Sequence, residues 1–474
     1  YNFKYITKDL KMYIKGTFVI LSLSLLIKLI AIYLTNFDLF GDEAQYWIWS
    51  LSLDFGYYSK PPFVAWIISF FTFFLGNSFV IIKLIPIIFY IISGYVVYLL
   101  SLELFNNKNQ AVLTAASFYL MPAVSFSSFL LSTDVFLVFF WSISLLFFLK
   151  SIKNPLKINF FILGIFVGIS FLTKYAAVYF LISTLVLIFL DKKTRAVFIY
   201  KLTNLLIFIG SLLLVLLPNI IWNNNFGWIT FLHTSENAGL DRAIINLYQG
   251  FEFIFSQTLM LGPFLFVIFI FIIKKITFSF QTKFLLSFSV PIFLIVLLES
   301  ILVRANANWA AVALVSFFIL MINRVFESSK KIIFINNIFN FIFCLVFYLL
   351  VASSSSLSFF DRINGISSFA KLIDEKHLKD NEKLVVEDRM LYSNLRYIFR
   401  NSKVKMYMPH NPKNKISNHF QISNPLKENF EEDFLFIGNK SQLGYLKKNK
   451  KIKKIDNISV LFNKMPINIY EVTF

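Results

Sequence analysis

The sequence predicts a polytopic α-helical membrane protein that carries a small α/β domain at its C-terminal end. Three observations lead there. Hydrophobic residues make up 57% of the 474 and charged residues only 15%, and a mean hydropathy of +0.70 is more than a soluble domain can hold on its surface. Apolar runs of about 20 residues, the length that crosses ~30 Å of hydrocarbon, recur before residue 352. After Ser353-Ser354-Ser355-Ser356 the composition changes, and residues 357–474 hold 21 basic and 13 acidic side chains with no run of spanning length.

The apolar runs lie near 16–35, 78–104, 111–130, 133–150, 201–221, 250–273, 283–302, 308–323 and 332–352. The stretch 158–190 is long enough for two shorter passes broken at Thr173-Lys174. About 11 transmembrane helices result. The first is expected to stay as an anchor, because no small-residue cleavage site follows Tyr33-Leu34 before Asp38. The run 61–76 (PPFVAWIISFFTFFLG) sets the parity of the topology. If it is an outer juxtamembrane helix, 18 Lys and Arg, Lys274 and Lys275 among them, fall on one side and only Lys60, Lys174, Arg242 and Arg304 on the other. That asymmetry is the positive-inside bias, whereas a crossing at 61–76 scatters the charges.

These expectations give a transmembrane domain over 1–352 and an outer, periplasmic accessory domain over 353–474. In the latter, 383–388, 403–409, 433–438 and 467–474 read as strands, and 390–400 and 441–450 as amphipathic helices. The run from Lys447 to Lys454 is a solvated face or a contact with anionic lipid. The net charge of +19 does not imply a nucleic-acid partner, since cytoplasmic loops accumulate Lys and Arg for topological reasons. The single cysteine, Cys344, lies in an apolar run and leaves no disulfide framework or thiol metal site.

The polar residues at the outer ends of the spans are the candidate site. The loop NFDLFGDEAQYWIWSLSLDFGYYSK (36–60) sets Asp38, Asp42, Glu43, Asp54 and Lys60 among aromatic residues. Adjacent carboxylates after a glycine suit general base chemistry on a hydroxyl; they equally suit the start of a short helix through Trp49. Asp134, in LLSTDVFLVFF, is ionisable at the end of an apolar span and reads as a site or as part of a helix start. Lys60, Lys174 and Arg304 each stand beside a span end on the side depleted of cations, where they can snorkel or hold a phosphate. Tyr57, Tyr58, Trp222 and His233 are the candidate contacts to sugar and acceptor; Tyr57 and Tyr58 alternatively belong to an interfacial belt, and Trp222 and His233 to an ordered outer loop. His233 with Glu236 makes a poor metal pair, as no second His stands at ligand spacing; a divalent metal is left open.

Taken together, these residues resemble a family. GDEAQYWIWSLSLDFGYYSKPPFVAW is similar to the first outer loop of the bacterial GT-C superfamily membrane glycosyltransferases, related to protein O-mannosyltransferases and the lipid A aminoarabinose transferase. LSTDVFLVFFW, GIFVGISFLTKYAAV, PNIIWNNNFGW, NANWAAVA, VVEDRMLYSNLRYIFR and NHF (418–420) follow in the family's order. The resemblance implies an inverting transfer of a sugar from a polyprenyl-phosphate donor to lipid A, lipopolysaccharide or another glycan acceptor, at the periplasmic face of the bacterial inner membrane. It matches Asp42 to the catalytic aspartate, Asp134 to the second acidic position and Lys60 to the residue before Pro-Pro, a phosphate-binding lysine in the aminoarabinose transferases. Ser59 departs from the acidic residue that several relatives have there. Protein O-mannosyltransfer and a non-enzymatic flippase are the alternatives.

Overall fold

The structure is a computed structural model that describes residues 2–239, 243–272, 277–378, 383–446, 450–460 and 463–474. Arg242, Lys274, Lys275 and residues 447–449 of the basic run lie outside the described residues. The chain forms two compact units. One comprises residues 1–30, 60–64 and 83–349, and the other 31–59, 65–82 and 350–474.

The first unit is helical. Among the described residues, seven helices are long and apolar enough to cross a membrane, and nine if each of two bent pairs is one span. The expected single span at 250–273 is one of these pairs: Leu247–Leu261 and Pro263–Ile272 meet at 100°. Gly262-Pro263 explains the break, since proline offers no N–H to continue the hydrogen-bond ladder. The expected span at 111–130 is likewise divided, into Lys108–Leu120 and Pro122–Ser127. Where two passes are expected within 158–190, two apolar helices stand, Lys157–Thr173 and Val178–Leu190, separated at Lys174, and the second bends by 119° into Lys192–Phe198.

Helix Lys157–Thr173 packs closely along Leu202–Asn225 because Gly164 and Gly168 recur on one face, the small-xxx-small spacing that lets helix backbones approach. A Cβ at Gly168 would stand 2.8 Å from Val215 Cβ. Two lysines are fully buried inside the apolar unit. Lys28 Nζ donates to Ser128 Oγ (3.2 Å) and lies 4.1 Å from the Tyr119 ring centre. Lys83 Nζ donates to Phe129 O (3.1 Å) and lies over the Phe129 ring. Both thereby fix the turn that precedes the helix carrying Asp134.

In the second unit a six-stranded sheet runs in the order β3-β2-β1-β4-β6-β5, with β1 Lys383–Val386, β2 Lys405–Pro409, β3 Pro425–Leu426, β4 Phe434–Ile437, β5 Lys451–Val460 and β6 Asn463–Thr473. β1 pairs in parallel with β2 (Leu384 opposite Met406) and with β4 (Leu384 opposite Leu435), while β6 is antiparallel to both β4 and β5. The central strands are nearly continuous apolar runs because both faces are covered. Leu384 and Val386 face the helices Ile366–Lys376 and Arg389–Ile398, and Val385 faces Leu443 and Leu446. Among the described residues of 441–450 the expected helix is not formed: the chain makes one 3-10 turn, Lys440–Leu443, and β5 begins at Lys451. Register shifts between Lys454 and Asp456 and between Ile458 and Val460 re-phase the faces of β5.

The run 61–76 contains one helix, Phe63–Leu75, of 13 residues. That is ~20 Å of helix against ~30 Å of hydrocarbon.

Candidate active site

In the first unit, three separate sequence motifs converge on Asp134. Lys174 Nζ stands 2.7 Å from Asp134 Oδ1, and Asn308 Nδ2 donates to Oδ2 at 2.6 Å. The carboxylate belongs to the first turn of helix Thr133–Lys153, where a negative charge also meets the helix dipole. It is not a capping group, because both oxygens are committed to side chains from elsewhere. Lys174 is extended (φ −162°) at the end of its helix, which frees its side chain from the helical path. Next to it, Tyr175 donates to Asn219 Oδ1 (3.0 Å), accepts from Asn223 Nδ2 (3.2 Å) and stacks on Phe231 at 4.4 Å. Arg304 is exposed and lines a cavity of about 400 Å³ together with Gln249, Glu252, Ser256, Ser300 and Asn306. Lys60 is half-buried before Pro61-Pro62.

In the second unit, Asp42 and Glu43 open helix Gly41–Ser50 and divide two tasks between them. Glu43 is buried and accepts the Phe40 N–H at 2.8 Å, which serves the start of its own helix. Asp42 is 38% exposed, and its Oδ1 accepts from Arg389 Nη1 at 2.9 Å. The same nitrogen donates to Gln45 Oε1. Arg389 begins helix Arg389–Ile398, whose first turn is capped by Asp388. Gly41 makes the approach of the two helices possible: a Cβ there would meet Met390 Sδ and lie 2.7 Å from Met390 Cβ.

Around this pair the loop folds on the tail. Trp49 and Tyr57 stack at 4.5 Å, and the His419 ring stands edge-on to both at 5.5 Å. Burial pushes the His419 imidazolium down to about 4. The Tyr57 hydroxyl donates to Trp49 O and Ser52 O, and Tyr58 donates to Ile416 O at 3.1 Å. Asp38 accepts the Ile366 N–H (2.8 Å) and the Ser367 N–H and hydroxyl, so it caps helix Ile366–Lys376. Burial raises its carboxyl above the usual range, and the same hydrogen bonds act against that rise.

Comparison with known proteins adds the fold's identity. A crystal structure of ArnT from Cupriavidus metallidurans bound to undecaprenyl phosphate superposes with a TM-score of 0.69 at 13% identity, over 95% of this chain and 97% of that one. The apo form of the same protein gives 0.66 at 11% identity, over 96% and 97%. The chain therefore shares the fold of these structures. The sequence profile of dolichyl-phosphate-mannose-protein mannosyltransferases matches residues 59–222 of this chain. The lipid A galacturonosyltransferase RgtD of Rhizobium johnstonii is 32% identical over 289 residues. The match spans 60% of this chain and 60% of that relative's length.

The remaining candidates lie in the first unit. Trp222 is buried and stacks on Phe226 at 4.4 Å. His233 is hydrogen-bonded to Asn237, one turn along its own helix. No group of three or more His, Cys, Asp or Glu side chains is placed to hold a metal among the described residues. Sequence reasoning missed Arg389, Gln45, Asn308 and the Tyr175-Asn219-Asn223 set. All of them carried a signal, since each stands inside a motif of the resemblance: Gln45 in GDEAQYWIWS, Tyr175 in GIFVGISFLTKYAAV, Asn219 and Asn223 in PNIIWNNNFGW, Asn308 in NANWAAVA and Arg389 in VVEDRMLYSNLRYIFR.

Proposed function

We propose that this chain is an inverting glycosyltransferase that moves a sugar from a polyprenyl-phosphate donor to lipid A or a related lipopolysaccharide acceptor. The main support is the 32% identity to a lipid A galacturonosyltransferase in a chain whose fold is that of a protein solved with undecaprenyl phosphate. In this reading Asp42 takes the proton of the acceptor hydroxyl. Lys60, Lys174 and Arg304 offset the charge that grows on the leaving phosphate, with Asp134 and Asn308 holding Lys174 in place. A donor of this kind is already activated, so no nucleotide site is required. Glu43 anchors the helix that presents Asp42, and Tyr57 and Tyr58 shape the loop, with Trp222 and His233 as the sugar-facing pair.

The protein is assigned to the bacterial inner membrane, with the reacting residues and residues 353–474 on the periplasmic side. The charge count that excludes 61–76 from the spans supports this orientation. Mass spectrometry of lipid A and core from a strain lacking the protein tests the function: one sugar is expected to be missing from a defined acceptor position. Unchanged lipid A and core, with a glycan lost from secreted protein instead, contradicts the proposal.

A further inference from the structure

We infer that Arg389, from the tail, is the positioning residue of Asp42. Its guanidinium holds Oδ1 so that Oδ2 is the oxygen that receives the acceptor proton. The inference rests on the reading of Asp42 as general base.

The geometry argues for it in three steps. Arg389 Nη1 reaches Asp42 Oδ1 at 2.9 Å and Gln45 Oε1 with the same group, and Gln45 is buried one turn along the helix from Asp42. A carboxylate held at one oxygen by a cation that is itself anchored keeps its plane fixed. Second, Asp42 Oδ2 accepts no hydrogen bond from any described residue, in a side chain that is 38% exposed. One oxygen is therefore committed and the other is open to a ligand. Third, the two helices that carry the pair are fixed at both ends. At the near end Gly41 fits against Met390. At the far end Trp47 Nε1 donates to Asn77 Oδ1 (2.7 Å), Tyr397 donates to Asn77 O (2.8 Å), and the Trp47 and Tyr397 rings meet edge-on at 5.0 Å.

An exposed ion pair adds little stability, so such bracing has its use in aiming the carboxylate. In the step, the acceptor O–H proton passes to Asp42 Oδ2 as the acceptor oxygen bonds to the anomeric carbon. The bond from that carbon to the phosphate oxygen breaks, and its electron pair leaves with the polyprenyl phosphate. Arg389 touches neither reactant and exchanges no proton.

The test uses the purified full-length protein with labelled polyprenyl-phosphate galacturonate and lipid A. Wild type is compared with Arg389→Gln, Arg389→Lys, Asp42→Asn and the Asp42→Asn/Arg389→Gln double variant. Arg389→Gln is expected to lower kcat by about 10- to 100-fold, the size of effect of a base misplaced by ~1 Å, with KM for the donor unchanged. Arg389→Lys recovers part of the loss, and the double variant is no slower than Asp42→Asn alone, as for residues acting as one unit. If Arg389→Gln is not obtained folded, Gln45→Met removes the second anchor of the same guanidinium, and its kcat is expected to fall less but in the same direction. Wild-type kcat in folded Arg389→Gln or Gln45→Met, with Asp42→Asn inactive, overturns the positioning role and leaves Asp42 as base. Wild-type transfer by Asp42→Asn overturns both.

Discussion

Replacing Lys174 with Met removes the cation paired with Asp134 and leaves a carboxylate that is only 8% exposed with a single amide donor, Asn308. Removing one partner of a buried ion pair costs about 3–5 kcal/mol, because the remaining charge is neither solvated nor neutralised. At ~2 °C per kcal/mol for a unit of this size, the melting point of the purified protein should fall by about 5–10 °C. The reverse change, Asp134→Asn, should cost less. Lys174 is 16% exposed and has a flexible stem, so its head can move toward water. The charge-neutral double variant, Asp134→Asn with Lys174→Met, should recover more than half of the loss seen for Lys174→Met. Thermal unfolding followed by intrinsic fluorescence in one detergent at one pH measures all three variants. A melting point for Lys174→Met equal to wild type, or a double variant less stable than both singles, refutes the view that the pair is a mutually dependent unit.

Gly41→Ala places a Cβ 2.7 Å from Met390 Cβ, which forces the two helices apart at a cost of about 1–3 kcal/mol; both melting point and transfer rate should fall, and a wild-type rate contradicts the close fit. His419 holds its imidazole neutral down to about pH 4, against 6.5 for the ordinary side chain. The unfolded chain therefore binds a proton that the folded chain refuses, and stability present above pH ~6.5 is lost as pH falls toward 4, by up to ~3 kcal/mol. Melting curves at pH 7.5 and pH 5 should show this loss, and His419→Phe should reduce it; identical pH dependence in wild type and variant counts against the buried neutral ring.

The fold was legible where composition or periodicity is one-sided. Long apolar runs mark spanning helices, and the continuous apolar stretches at 384–386 and 434–437 mark the centre of a sheet covered on both faces. It was obscured where a local pattern admits two shapes. The segment 441–450 reads as an amphipathic helix although its described residues make only the turn Lys440–Leu443, and 250–273 reads as one span although Gly262-Pro263 bends it. The helix Ile366–Lys376 went unread because its start is set by Asp38, more than 300 positions away in the chain.

The site divides in the same way. Asp134 and Lys174 announce themselves as charges at the ends of apolar helices, and the structure pairs them. The roles of Asp42 and Glu43 cannot be separated by composition, since either carboxylate can cap a helix; only the direction of each side chain does that. Arg389 was hidden for another reason. It is one of 21 basic residues in the tail, and nothing in its neighbours along the chain indicates that it meets a loop at residue 42.

The most direct test of the central claim is the initial rate at which label passes from a labelled polyprenyl-phosphate sugar to lipid A in the presence of purified wild-type protein and of Asp42→Asn. The expected result is protein-dependent labelling of lipid A by wild type, with a rate lower by about 10² to 10⁴ in Asp42→Asn, the loss typical of a missing general base. Failure of wild type to label lipid A from any polyprenyl-phosphate sugar, or equal rates for wild type and Asp42→Asn, contradicts it.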